Sequence, residues 1–541
     1  NTAIGYAAMY SNSEAARNTA LGYKAQYSVT DAGHDNVGIG QSALYTNTGG
    51  DKNVAVGNEA LYSNTTGTHN IAVGMYAGDA LTTGGYNVAV GGMSLSAATT
   101  SDYNTGVGYE ALSSTTVSEQ TAVGYGAMNQ NTTGAGNVAV GMRAKRYGTG
   151  HNYCTAVGYY ALQGTNGYNG THSNTAVGYQ ALKVTSSGGD NTAVGYNAMV
   201  SNTTGTSNVA VGNAALDANT SGVGNVAVGG AAQSISTTAS NCTSIGREAA
   251  YNLTTGDANT AVGRRALYTH TTGTDNVAIG YQALYTNATG NDNVAIGKDA
   301  GYLCTSSQNT FVGGEGCGDE VTTGSECTFM GAFAGTLVTT ATGNTLIGSS
   351  AGNNISTGQY NTFVGKDTGA GSSPTTTADN CVFIGINAGK DQGNTDNRLY
   401  IARNGVSHGN AAAWIYGNSL GQVYQGNNSS TWETTSDRRL KKNIVDNTKG
   451  LDEINQLRVT NFEYRTEDEI DMSEFPLADN AGQVVLGKGN EGLHIGVIAQ
   501  EVESVLPECI TTSEEGAKTV NNDPIMWAMV NAIKELSTEN N

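Results

Sequence analysis

One motif, roughly Asn-(Thr/Val)-Ala-(Val/Ile)-Gly-Tyr-x-Ala-Leu followed by a polar Thr/Gly/Asn turn, recurs along most of this chain. Its Gly falls at 5, 22, 40, 57, 74, 91, 108, 124, 141, 158, 178, 195, 212, 229, 246, 263, 280, 297, 313, 331, 348, 365 and 385, so that 23 units follow one another at a step that is almost always 17. A unit that short cannot enclose a core of its own, and its stability must come from stacking on its neighbours. The composition agrees with a repeat architecture: 75 Gly, only 4 Pro and 13% charged residues in 541 do not describe an ordinary globular enzyme.

Within each unit the residues three and one before the Gly are Thr, Val or Ile and Val, Ile, Leu or Met, and the residue between them is Ala, Gly or Ser in the first 18 units. Side chains two apart share a strand face. The spacing therefore predicts a strand of about five residues with its β-branched pair buried and its small residue against a close neighbour, then a second short strand through Tyr-Gln-Ala-Leu and a turn. Residues 1–385 are expected to form a mainly β, elongated parallel β-solenoid, or β-roll, of about 23 coils, spanning about 110 Å at roughly 4.8 Å per coil. The close-approaching small-residue face suggests assembly as a homotrimer. In the last five units the small residue becomes Phe311, Phe329, Leu346, Phe363 and Phe383, which predicts a change of packing, with a wider or differently twisted section, from about residue 309.

Four residues before the Gly stand 18 Asn, one Gln (Gln120) and four Cys (Cys154, Cys242, Cys327 and Cys381). Asn replaced only by small groups that can hydrogen-bond when buried predicts an internal ladder that satisfies backbone from coil to coil. The cysteines are then structural. Seven Cys without a CxxC or His partners at ligand spacing give neither a disulfide framework nor a metal site, and no cofactor is implied.

A formal charge of −20 argues against nucleic acid and against an anionic membrane surface. No run of about 18 apolar residues predicts membrane insertion, and no basic-then-apolar start marks a signal peptide. Asn1 lies inside a repeat and is not Met, so the sequence is expected to be a piece of a longer protein.

After Gly385 the period fails. Residues 386–435 read as a β-rich connector with short strands in RLYIARNG and AAAWIYGNSLGQVYQG. From Ser436 onward 30 of 106 residues are charged, against 40 of the 435 before it, so 436–541 forms a small α+β domain of a different kind. Leu451, Ile454 and Leu457 fall on one helical face ahead of a strand through Phe462 and Tyr464. Ile498, Val502 and Val505 fall on another, stopped by Pro507. The last helix has Asp523 as its expected cap, Pro524 in its first turn, and Met526, Met529, Ile533 and Leu536 at 3-4-3 spacing, which suits either a three-stranded bundle or packing on its own domain.

The motifs NVAIG and NTAVG resemble the SVAIG-type repeats of trimeric autotransporter adhesin heads, which implies a parallel β-roll assembled as a trimer. The segments SDRRLKKNI, HIGVIAQEVESVLPE and AIKEL, in that order, resemble the carboxy-terminal intramolecular chaperone of phage tail spikes, tail fibres and endosialidases. That resemblance implies a domain that trimerises, sets the register of the β-structured shaft, and then cuts itself off as a single-turnover serine endopeptidase. Carried over residue by residue, it makes Ser436 the nucleophile and Lys441 the base, with the cut between Thr435 and Ser436; His494 and Asp437 are auxiliary candidates. The chemistry is reasonable, because a Ser hydroxyl needs a base, and Lys can serve when burial and nearby cations such as Arg438, Arg439 and Lys442 lower its pKa. Residues five apart meet only across a bend or between chains.

The leading function is thus a viral tail-fibre or tail-spike shaft for host-surface attachment, located on the virion tail and joined to other virion components on its amino-terminal side. The alternatives are a bacterial cell-surface adhesin with the same chaperone, and a glycan-degrading spike for which Glu315, Asp319 and Glu320 are the only dense acidic break. The candidate contact with a host cell-surface glycan or protein is the basic island of Arg143, Lys145, Arg146 and Tyr147; the Tyr that recur after the repeat Gly are packing residues first and sugar-stacking candidates second.

Overall fold

The computed structural model describes residues 1–30, 32–166, 173–370, 377–390, 394–402, 413–418, 423–425, 438, 441–475, 492–512 and 516–539. The chain divides into two compact units, Asn1–Thr395 with Ala402–Ser407, and Asp396–Ile401 with His408–Asn541.

The first unit is a parallel β-solenoid. Its strands run from β1 (Thr2–Ile4) to β23 (Val382–Ile384), one per repeat and each three residues long. Successive strands pair in parallel and in register, as Val54, Ala55 and Val56 of β4 (Val54–Val56) do with Ile71, Ala72 and Val73 of β5 (Ile71–Val73).

The strand faces are the reverse of the expected ones. Ala55, Ala72 and their equivalents are fully buried inside the coil, whereas the β-branched residues on either side point outward and stay partly exposed, Ile71 at 42% and Val73 at 37%. Coil volume is the reason. The interior already holds an Ala and a Leu or Met from the turn after the Gly, such as Ala60 and Leu61 or Ala127 and Met128, and between them only a small strand residue fits. Close packing leaves no room for two β-branched side chains per rung.

The expected second strand is not formed among the described residues either. The stretch after the Gly is a turn whose alternate residues are left-handed, as at Glu59 (φ 55°) and Leu61 (φ 49°), and again at Gln282 (φ 56°) and Leu284 (φ 49°). Alternation aims N–H groups at both neighbouring coils: Glu59 donates to Gln41 O at 2.9 Å on one side, and Leu61 donates to Ala77 O at 3.0 Å on the other. A non-Gly residue held in this region costs on the order of 1 kcal/mol, so each turn depends on the coils above and below it.

The repeat Gly is required by both its conformation and its neighbours. Gly22 has φ 137°, and a Cβ there would lie 2.5 Å from Gly40 O, the next Gly of the column.

The Asn ladder is present as expected. Asn70 Oδ1 accepts from the Asn87 N–H at 3.0 Å, and Asn70 Nδ2 donates to Gly84 O at 2.8 Å, fully buried. Where Cys replaces Asn the thiol takes over both tasks. Cys242 Sγ donates to Gly256 O at 3.3 Å and interacts with the Asn259 backbone N–H, while burial pushes its pKa up to about 11. All seven cysteines are buried and free.

From coil 19 the interior changes by exchange. Phe311, Phe329, Phe363 and Phe383 are fully buried, and the turn position that most earlier coils give to Leu or Met holds Gly. A Cβ on Gly318 or Gly335 would lie 2.6 Å from the ring of Phe311 or 2.5 Å from that of Phe329. Strand register runs through the change unbroken, with Ala295 opposite Phe311 and Phe311 opposite Phe329. The packing change is therefore a relocation of volume within the coil.

Beyond the repeats come β24 (Leu399–Ala402), β25 (Ala413–Gly417) and β26 (Val423–Gln425), with β25 and β26 antiparallel. The second unit then contains α1 (Leu451–Ile454), β27 (Thr460–Phe462), β28 (His494–Gly496), α2 (Ala499–Val505), β29 (Ile510–Thr512), β30 (Lys518–Val520) and α3 (Asn522–Glu539). Its small core is Val502, Leu506 and Cys509, with Leu457, Val497, Ile510, Val520 and Ile525 against it. The residue capping α3 is Asn521, whose Oδ1 accepts from the Asp523 N–H at 3.1 Å, so Asp523 lies inside the helix instead of starting it. No helix among the described residues is long and apolar enough to cross a membrane.

Candidate functional site

Thr435, Ser436, Asp437 and Arg439 lie outside the described residues. Lys441 is exposed, and its N–H donates to Arg438 O at 3.2 Å. His494 is half-buried on β28, opposite Phe462 of β27, with ring centroids 5.9 Å from Phe462 and 5.0 Å from Tyr464. This aromatic setting gives His494 a clear packing role.

Helix α3 has two distinct faces. One packs within its own unit: Ala528 and Ala532 are buried, Asn531 Nδ2 donates to Asn447 O and Lys449 O at 2.9 Å, and Glu535 accepts from the Leu451 N–H at 2.7 Å. The other face leaves Met526, Met529, Ile533 and Leu536 exposed, Ile533 at 67%. Both packing modes suggested by the sequence thus have residues to serve them.

On the shaft, the basic island is not a single surface. Lys145 stands at a position that other coils give to Leu or Met, and it is fully buried, with Nζ donating to Asn131 Oδ1 at 3.4 Å. Burial lowers its pKa from 10.5 to about 8. A side chain inside the coil cannot meet an external ligand, so Lys145 leaves the binding set. Arg143 stays outside: its guanidinium lies 5.7 Å from the Tyr125 ring centre and 5.8 Å from that of Tyr160, and its Nη1 donates to Tyr160 Oη at 2.9 Å. Arg146 lies 5.1 Å from the centre of the Tyr147 ring.

The tyrosines form columns. Tyr10, Tyr27, Tyr45 and Tyr62 stack at 5.0 to 5.1 Å, and Tyr159, Tyr179 and Tyr196 at 5.1 to 5.3 Å, with planes within 7°. Each ring covers its neighbour's face, so within a column edges and hydroxyls are what solvent meets. Such stacking also stabilises the coil-to-coil contact by roughly 0.5–1.5 kcal/mol per pair. Of the acidic break, Glu315 is paired with Lys298 at 2.7 Å, and partial burial raises the pKa of Asp319.

Residues 436–511 match the family model of peptidase S74, described as chaperone of endosialidase. No curated protein and no solved structure matches the chain. The match, which begins at Ser436, and the solenoid before it support a chaperone-bearing, fibre- or spike-like shaft whose carboxy-terminal domain is related to an autoproteolytic peptidase.

Proposed function

We propose that this chain is the shaft of a homotrimeric viral tail fibre or spike that attaches to a host surface. Its domain from Ser436 onward trimerises, sets the register of the shaft and then cleaves itself off between Thr435 and Ser436, with Ser436 as nucleophile and Lys441 as base. The observation that carries this reading is the exposed apolar face of α3 on a domain that matches the chaperone family. Three copies of Met526, Met529, Ile533 and Leu536 would bury one another at heptad-like spacing. Along the shaft the outward β-branched pairs give a second continuous seam, and covering each half-exposed Val or Ile would contribute on the order of 1 kcal/mol.

Topology explains the need for a registering domain. Coils so similar that Val54, Ile71, Val88 and Val138 occupy equivalent places allow copies to slip by one repeat, and non-local parallel pairing is slow to form. Trimer assembly at one end fixes the offset. Removing that end afterwards leaves a shaft that is kinetically trapped in its fold. Proton transfer from Ser436 needs a desolvated Lys441, and since Lys441 is exposed in one chain, the trimer is the state in which we place the cut.

The test is expression of the chain beside Ser436→Ala, compared on a denaturing gel. Release of residues 436–541 from the parent alone supports the autoprotease; an intact parent would reduce the domain to a permanent trimer clamp.

A further inference from the structure

The shaft carries a built asymmetry in charge. Apart from Arg17, Lys52 and the buried Lys145, every Lys and Arg of residues 1–385 sits one, two or five residues after a repeat Gly, on the strip of turn positions that also bears most of the Tyr columns. Acidic residues stand on the same strip in some coils, as at Glu59, Glu110, Asp217 and Asp299, and several cations on it are neutralised locally, as in the pairs of Arg265 with Glu248 and Lys298 with Glu315. One stretch differs. Residues 120–189 contain no Asp or Glu at all, in a chain whose net charge is −20. Within it Arg143, Arg146 and Lys183 have no carboxylate within ion-pair distance among the described residues; their neighbours are the rings of Tyr125, Tyr147 and Tyr160, with Lys183 Nζ 5.6 Å from the centre of the last.

We infer that this acid-free stretch binds a carboxylate-bearing linear polysaccharide laid along the solenoid axis. The inference rests on the attachment reading above and gives it a site and a ligand class. Three features select that class. The cations lack protein counter-ions, so each can take a carboxylate without first breaking an ion pair. The stacked Tyr159 and Tyr179 carry phenol hydroxyls on successive coils of the stretch, groups that can donate to and accept from sugar hydroxyls. The coil-to-coil rise, about 4.8 Å, is close to the advance of one pyranose ring, so a charged sugar chain can meet the same chemistry at successive rungs. A nucleic acid fits less well, because the stacked tyrosines cover one another's ring faces and leave no platform for bases.

The full-length protein is titrated into fluorescein-labelled alginate, a polyuronate, with labelled dextran as the neutral control, by fluorescence anisotropy at low and high salt. Binding to alginate but not dextran, weakened by salt and reduced at least about tenfold in the triple variant Arg143→Gln, Arg146→Gln and Lys183→Gln, is the expected result. The control variant Arg247→Gln, Arg264→Gln and Lys298→Gln removes as many cations elsewhere on the strip and should bind as the parent does. Equal loss in both variants, no binding by the parent, or a changed oligomeric state in the first variant would each overturn the assignment. Adhesion of the same proteins to host cells separates the two levels. A first variant that still adheres sinks this site and leaves attachment standing; a parent that binds alginate but no cell sinks attachment alone.

Discussion

The ring of Phe329 occupies the space that the missing side chain of Gly335 leaves, since a Cβ on Gly335 would lie 2.5 Å from it. In earlier coils the same two places hold Ala and Leu, as in Ala55 and Leu61. Phe329→Ala should destabilise the shaft by about 3–5 kcal/mol through the cavity it opens, and Gly335→Leu should destabilise it by overpacking. The pair together restores the earlier arrangement. Thermal unfolding of the three variants should rank the double above both singles; a double as unstable as the sum of the singles would refute the exchange of volume.

Asn208 holds one rung of the buried ladder: its Oδ1 accepts from the Asn225 N–H at 2.9 Å and its Nδ2 donates to Gly222 O at 2.8 Å. Asn208→Ala strands both backbone groups, at a cost of about 2–5 kcal/mol. Asn208→Cys should cost clearly less, because Cys242 already performs both tasks in its own coil. Denaturant midpoints measure the difference, and equal losses would show that a thiol does not replace the amide.

Lys145 links stability to pH. Burial holds its pKa at about 8, below the ordinary 10.5, so between these values the unfolded chain carries a proton that the folded chain lacks. Stability should therefore rise as pH increases from about 8 to about 10.5, with the full penalty, on the order of 3 kcal/mol, present below that window. Lys145→Met removes the penalty and matches the residue of other coils. The variant should be the more stable at pH 7, and the difference between it and the parent should shrink with rising pH in urea titrations. A constant difference would rule the linkage out.

Ile533 is the most exposed of the apolar residues on the outer face of α3. Ile533→Asp would place a charge in each strand of a helical bundle while leaving the Ala528 and Ala532 face intact. Light scattering should find the parent as a trimer and this variant as a monomer or an aggregate; a trimeric variant would move the subunit contact elsewhere.

Much of the architecture was legible in residue order. The step of about 17, the column of Asn and Cys, the change of composition at Ser436 and the chaperone motifs are linear facts, and the first two follow from what a stacked coil requires locally. Facing was not legible. Alternation shows that Val54 and Val56 share a side opposite Ala55, but the interior volume left by Ala60 and Leu61 decides which side is inside. The same applies to Lys145. As a letter it extends a basic island, and only the register of its turn reveals that it occupies the place of a core Leu. The tyrosines recur visibly in the sequence, yet the stacking that covers their faces depends on coil spacing. Sequence by itself determined the repeat, the ladder and the change of composition at Ser436, because these depend on neighbours along the chain. Tertiary structure alone decided what faces inward, which cations remain available outside and which face of α3 lacks a partner, because these depend on volume and contact between residues a full coil or more apart.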